Sequence, residues 1–171
     1  MPNGSLLTTM QLFIAACLSG FFLLEISGCS DGTSSSSGSP APTDAGPTTL
    51  AGADSDRNGV RDDIDAYIDT TYSDADTRSA LRQYGRAVQA AMLDAGHAAL
   101  SATHATERFR AIECLMARRP NDFPAVFTDL RARLLDTDAR TRAYLQSDGQ
   151  VKANTPPLLP ADQWSLACTT F

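Results

Sequence analysis

Apolar positions recur between residues 64 and 145 at the spacing of helix faces, and no stretch alternates in the way a strand requires. "DDIDAYIDTTY" puts Ile64, Tyr67 and Ile68 on one side of a short amphipathic helix. In "SDADTRSALRQYGRAVQAAMLDAG", Leu81, Tyr84, Val88, Met92 and Ala95 line one face. Ser73 or Asp74 stands at its N-cap, acids fill its first turn, and Gly96 reads as its stop. A third helix is predicted over residues 105–118, with Phe109, Ile112 and Met116 inward and Arg118-Arg119-Pro120 closing it. "NDFPAVFTDLRARLLDTDARTRAYLQ" predicts a fourth, with Asp122 as cap, Pro124 in the first turn and Phe127, Leu130 and Leu134 as its stripe. A break near Asp136-Thr137 precedes Tyr144 and Leu145, and the tail "NTPPLLPADQWSLACTTF" shows little regular pattern. The expected fold is all-α: a small irregular helical bundle over residues 66–171, preceded by a loop at 54–65.

The hydrophobic pattern upstream is of another kind. "LFIAACLSGFFLLEISGC" is a continuous apolar run, short for a membrane span and suited to the core of a signal peptide. Its last four residues, Ile26-Ser27-Gly28-Cys29, resemble the bacterial lipobox: an aliphatic residue, two small ones and a cysteine. The resemblance implies a lipoprotein signal peptide over residues 1–28, cleavage before Cys29, and acylation of that cysteine. By the same resemblance, Ser30 after the cysteine implies sorting to the outer membrane, with the domain on the periplasmic side. A plain signal peptide or membrane anchor is the alternative reading. Residues 29–53 follow as a Ser/Gly/Pro/Thr-rich tract too poor in large apolar residues to fold on its own. As a flexible tether it would span roughly 25–30 Å.

Charge sharpens this division. The chain of 171 residues has a formal net charge of −6. Residues 54–171 carry a net −3, and residues 54–65 alone also carry −3, so the rest of the helical part is balanced. No basic field covers the chain, which argues against nucleic acid as a partner. Of the four cysteines, Cys17 lies in the apolar run and Cys29 is the lipidation candidate. Cys114 and Cys168 remain, an even pair in an oxidising compartment, and a structural disulfide between them is expected. The alternative is a reactive or metal-binding thiol.

The local acidity of residues 54–65, "DSDRNGVRDDID", calls for a cation. A twelve-residue calcium loop needs side-chain oxygens at its first, third and fifth places and a carbonyl at the seventh. It also needs a ligand at the ninth, a carboxylate at the twelfth and a glycine at the sixth. Those places hold Asp54, Asp56, Asn58, Val60 through its carbonyl, Asp62 and Asp65, with Gly59 at the turn. All-oxygen ligation favours Ca²⁺ over zinc or copper. The stretch resembles a thrombospondin type 3 repeat or dockerin-type loop of the EF-hand kind, D-x-D-x-[DN]-G-x-x-D-x-x-D. That resemblance implies Ca²⁺ binding through these positions, and Asp rather than Glu at the twelfth place implies modest affinity. The same aspartates also read as a cap for the following helix, Asp62 and Asp63 favouring its positive end.

No catalytic arrangement emerges. His97 and His104 are the only histidines, and with Cys114 they fit no usual zinc spacing. There is no G-x-S-x-G, no phosphate-cradling glycine loop and no H-E-x-x-H. Glu107 and Glu113 read as solvated surface, as do Arg131, Arg133, Arg140 and Arg142. Tyr67, Tyr84 and Trp164 read as packing residues, with a ligand groove as the alternative. The functional expectation is a non-enzymatic, calcium-binding lipoprotein of the cell envelope; a lipid-tethered adaptor or inhibitor of an envelope protein is the second reading.

Overall fold

The computed structural model describes residues 49–151 and 157–169. The signal peptide, Cys29 and most of the tether lie outside the described residues. The described part is the all-α bundle that the periodicity predicts, and no strand occurs among the described residues. Five α-helices follow one another: α1 (Asp62–Thr71), α2 (Ala75–Leu93), α3 (Ala98–Arg118), α4 (Phe123–Leu134) and α5 (Asp138–Gly149). A 3-10 helix over Ala161–Ala167 closes the chain, where the sequence pattern shows little order. No helix among the described residues is long and apolar enough to cross a membrane.

Helix α2 is the axis. Asp74 caps it by accepting from the N–H of Thr77. Its expected face is buried throughout: Leu81, Tyr84, Val88 and Met92 in the helix and Ala95 just beyond it. It packs against α1, α3, α4 and α5. The helix ends at Leu93, with Asp94 as its C-cap, a little before Gly96. Ile64 and Ile68 of α1 and Leu130 and Leu134 of α4 meet it in one apolar cluster, which also takes in Val60 from the loop. Burying such side chains is the dominant favourable term for a domain of this size.

Helix α3 differs from expectation in two respects. It begins at Ala98, several residues earlier than its apolar pattern indicates, because its first turns face α2 through Ser101, His104 and Ala105. Its inward ridge is Ala105, Arg108, Ala111, Cys114 and Leu115, while Phe109, Ile112 and Met116 are only half-buried. Two neighbours decide this. One flank of α3 packs on α2, and the other is covered by the C-terminal 3-10 helix. A disulfide joins Cys114 to Cys168 across a sequence separation of 54 and anchors that cover. The tail is also held by side chains. Gln83 donates through Nε2 to the Ala167 carbonyl and accepts at Oε1 from the N–H of Thr169.

Two other expectations are overturned. Glu113 is not on the surface: it is 0% exposed, paired through both oxygens with Arg110 and bonded by the N–H of Leu159. Arg140, expected on a solvated face, is buried. Helix α5 has no apolar stripe; it buries Arg140 and Ser147 and leaves Leu145 57% exposed. Its Ala143 and Tyr144 pack against the core, and polar contacts with other segments, which its own sequence cannot reveal, complete its placement.

Candidate metal centre

The acidic loop is shaped by its own hydrogen bonds. Arg57 and Gly59 both adopt left-handed backbone, at φ 59° and 83°, so the chain coils tightly around Asn58. That coil turns successive N–H groups inward. The Asn58 N–H is shared by Asp54 Oδ1 at 3.1 Å and Asp56 Oδ1 at 3.2 Å, and the Gly59 N–H donates to Asp54 Oδ2 at 3.0 Å. Asn58 Nδ2 donates to Asp56 Oδ2 at 3.0 Å and to Asp65 Oδ2 at 2.6 Å, while its Oδ1 accepts from the Val60 N–H at 2.7 Å. Ser55 holds Asp62 through its N–H (2.8 Å) and hydroxyl (2.6 Å). The Asp62 N–H closes the loop on the Ala53 carbonyl at 2.9 Å.

This arrangement gathers three of the four expected carboxylate ligands. Carboxylate oxygens of Asp54, Asp56 and Asp62 lie within 4.8 Å of one another. Asn58 is the hub that ties the acids together, so its side-chain oxygen is engaged by Val60. Val60 lines the loop with its backbone while its side chain enters the core beside Gly85. Asp65 is drawn aside: its Oδ1 accepts from Arg82 Nε at 2.7 Å, and Arg82 also pairs with Asp69. The sequence pattern missed Ser55 and Arg82. Ser55 is visible only as a small hydroxyl beside an acid. Arg82 comes from α2, seventeen residues beyond Asp65, and no local motif points to it.

Two acids of the loop are held toward the charged form. Hydrogen bonds from Ser55 hold the Asp62 carboxyl below the usual carboxylate range, and the Arg61 guanidinium does the same for Asp63. For Arg61, burial opposes the charge, but the hydrogen bond to Asp63 and the charges of Asp63 and Asp136 outweigh it and raise its pKa. Each of Asp54, Asp56 and Asp62 accepts two hydrogen bonds, and a carboxylate has about four lone-pair sites. Free lone pairs therefore remain on three adjacent carboxylates. Asp54, Asp56 and Asp62 are the residues that could hold a metal ion here, through hard, anionic oxygens.

The other candidates disperse. His104 faces Asp94 at 2.9 Å and Glu107 at 3.1 Å, and the sulfur of Cys114 is in the disulfide. Tyr84 is buried against Phe127, with ring centroids 5.1 Å apart. Tyr67 bonds Tyr72 at 3.2 Å and also Asp129, and Trp164 Nε1 donates to the Leu159 carbonyl at 2.9 Å. These aromatic residues pack helices and the tail together. Residues 49–53, expected to belong to the free tether, are instead docked. Arg140 donates to the Thr49 and Leu50 carbonyls and Gln89 to that of Ala51. Composition could not show this, because the segment docks through carbonyls caught by buried side chains of α2 and α5, with Leu50 as its one large apolar contact on the core. Compared with known proteins, the chain matches no family model, no curated protein and no solved structure.

Proposed function

We propose that this protein is a non-enzymatic, calcium-binding lipoprotein of the cell envelope, in which the loop at 54–65 stiffens the junction between a lipid-anchored tether and the helical domain. The observation that carries this reading is the convergence of Asp54, Asp56 and Asp62 within 4.8 Å in a loop whose acids are aligned by its own amides. A bound divalent cation supplies the positive charge that offsets the mutual repulsion of these carboxylates. The affinity expected of such an extracellular-type site is on the order of 10⁻⁴–10⁻³ M. The docked residues 49–53 support the junction role, because they bring the end of the tether against the loop and α5.

Isothermal titration tests the ion directly. Titrating Ca²⁺ into the protein should give saturable heat that Asp54→Ala/Asp56→Ala abolishes, and no heat at millimolar Ca²⁺ would end the claim. The anchor is tested separately: a signal-peptidase II inhibitor on producing cells should accumulate unprocessed precursor, and unchanged processing would refute lipidation at Cys29. The second reading, a lipid-tethered adaptor or inhibitor with structural calcium, draws on the exposed leucines, among them Leu166 at 76%. A partner retained from envelope extract on the wild-type domain in both Ca²⁺ and EDTA would favour that reading.

A further inference from the structure

Among the described residues, Arg61 and Arg140 are the two largest side chains that the fold buries completely, each 1% exposed. Arg61 is the eighth residue of the acidic loop, yet its guanidinium reaches the elbow between α4 and α5. Its Nη1 donates to the Leu134 carbonyl and its Nη2 to the Arg133 carbonyl, both at 3.2 Å. These are carbonyls of the last turn of α4, which the helix itself leaves unpaired. Nε and Nη2 grip Asp63 at 2.9 and 2.7 Å. Arg140, from α5, donates through Nη2 to the Thr49 carbonyl at 2.7 Å, where the chain approaches the loop. Asp136 joins the two arginines, 3.4 Å from Arg61 Nη2 and 2.6 Å from Arg140 Nη1. A buried cation left without its partners is strongly unfavourable, so these contacts hold or fail together.

We propose that Arg61, Arg140 and Asp136 form a latch that makes the ordering of the acidic loop and of the α4–α5 elbow one cooperative event. Packing already joins Val60 to Leu130 and Leu134 in one apolar cluster; the arginines add a polar link from the loop backbone to the elbow carbonyls. Arg61 lies between Val60 and Asp62, so the grip on its side chain also fixes the backbone that presents Asp62 to Asp54 and Asp56. Arg61 is thereby a positioning residue for the carboxylate cluster. Linkage is reciprocal: whatever orders the loop must also order residues 133–140, and the converse. The coupling itself does not depend on an ion; its response to Ca²⁺ rests on the calcium reading above.

Amide hydrogen exchange read by NMR on the full chain tests the latch. Asp136→Asn keeps the side-chain size and removes the charge the arginines share; Asp138→Asn, at a side chain 96% exposed in the same elbow, is the control. Without Ca²⁺, Asp136→Asn should speed exchange at the elbow and at the Asn58 and Gly59 amides by about fivefold or more, the low end of typical site-to-site coupling. Amides of α3 and the whole control variant should be unchanged. Elbow amides that loosen while Asn58 and Gly59 keep their protection would overturn the latch. If Asp136→Asn does not fold, Arg61→Lys gives the same readout, since it keeps the charge and loses the forked grip on Arg133 and Leu134. With Ca²⁺ added, loop and elbow should slow together in the natural chain, and only the loop in Asp136→Asn. Slowing confined to the loop of the natural chain would also overturn the latch. If Ca²⁺ gives neither heat nor slowing, the calcium reading fails, and the ion-free comparison alone decides the latch.

Discussion

At Gly52 the backbone has φ +71°, and a Cβ there would lie 2.4 Å from Cδ of Arg61. Both facts forbid a side chain. The left-handed conformation costs any L-residue roughly 1–2 kcal/mol, and Arg61 cannot move aside because it is fully buried and gripped at the elbow. Gly52→Ala should therefore destabilise the protein by about 2–3 kcal/mol. Gly96→Ala, with nothing within 4 Å of the new methyl, should change stability by less than about 0.5 kcal/mol. Urea unfolding of the two variants checks the contrast, and equal midpoints would refute the role given to Gly52. The sequence marks Gly96 as a helix stop and gives Gly52 no role. Buried charge escaped the sequence reading for a related reason. Glu113, Arg61 and Arg140 lie inside because a charge partner nearby in the chain and backbone groups remote in it together satisfy them, whereas an unpartnered charge belongs at the surface.

At the scale of elements, the helices that were legible are those whose buried face is a stripe of large apolar side chains at helical spacing. The face of α2 follows the 3.6 period from Leu81 to Met92, and the last-turn stripe of α4 through Leu130 and Leu134 does likewise. Helix α3 is read incorrectly because its buried ridge is mostly small and polar residues, covered on one flank by the C-terminal segment that Cys168 ties down. That tie has a measurable weight. Closing a loop with a sequence separation of 54 stabilises by about 4 kcal/mol in the chain-entropy model. Replacing both cysteines by serine should lower stability by a figure near that and loosen the Thr169 amide, which Gln83 holds. A loss under about 1 kcal/mol in urea titrations would mean that Gln83 and Glu113 hold the tail without the covalent bond.

For the whole molecule, ionisation sets the pH range of stability. Several carboxyls are held below their usual range: Asp62 by Ser55, Asp63 by Arg61, Asp74 by Thr77 and Asp129 by the Tyr67 hydroxyl. In the unfolded chain such groups take up protons near their ordinary value of 3.8, while the folded chain still resists protonation. Their contribution is complete above that pH and is lost as pH falls below it toward the depressed folded values. Burial acts oppositely at the alkaline end by pushing the Tyr84 phenol up from its ordinary 10.0. The unfolded chain then ionises first, and stability declines as pH rises past that value. Urea midpoints should stay level from about pH 5 to 9 and fall on both sides. A midpoint that rises between about pH 5 and 3 would contradict the assignment of these carboxyls.

Local chemistry was enough to determine the all-α class, the axis helix with its cap at Ser73 or Asp74, the pairing candidates among the cysteines, and the stretch of loop that gathers Asp54, Asp56 and Asp62. Each depends on periodicity or on groups a few residues apart, which a linear pattern records. Tertiary structure alone decided that Asp65 turns to Arg82, that α3 buries Cys114 rather than Met116, and that Arg61 and Arg140 lock the loop to the α4–α5 elbow. Those outcomes depend on which distant segment supplies the compensating charge, carbonyl or cover. Burial of a polar group is settled by the partner that satisfies it, and that partner is chosen only when the chain folds.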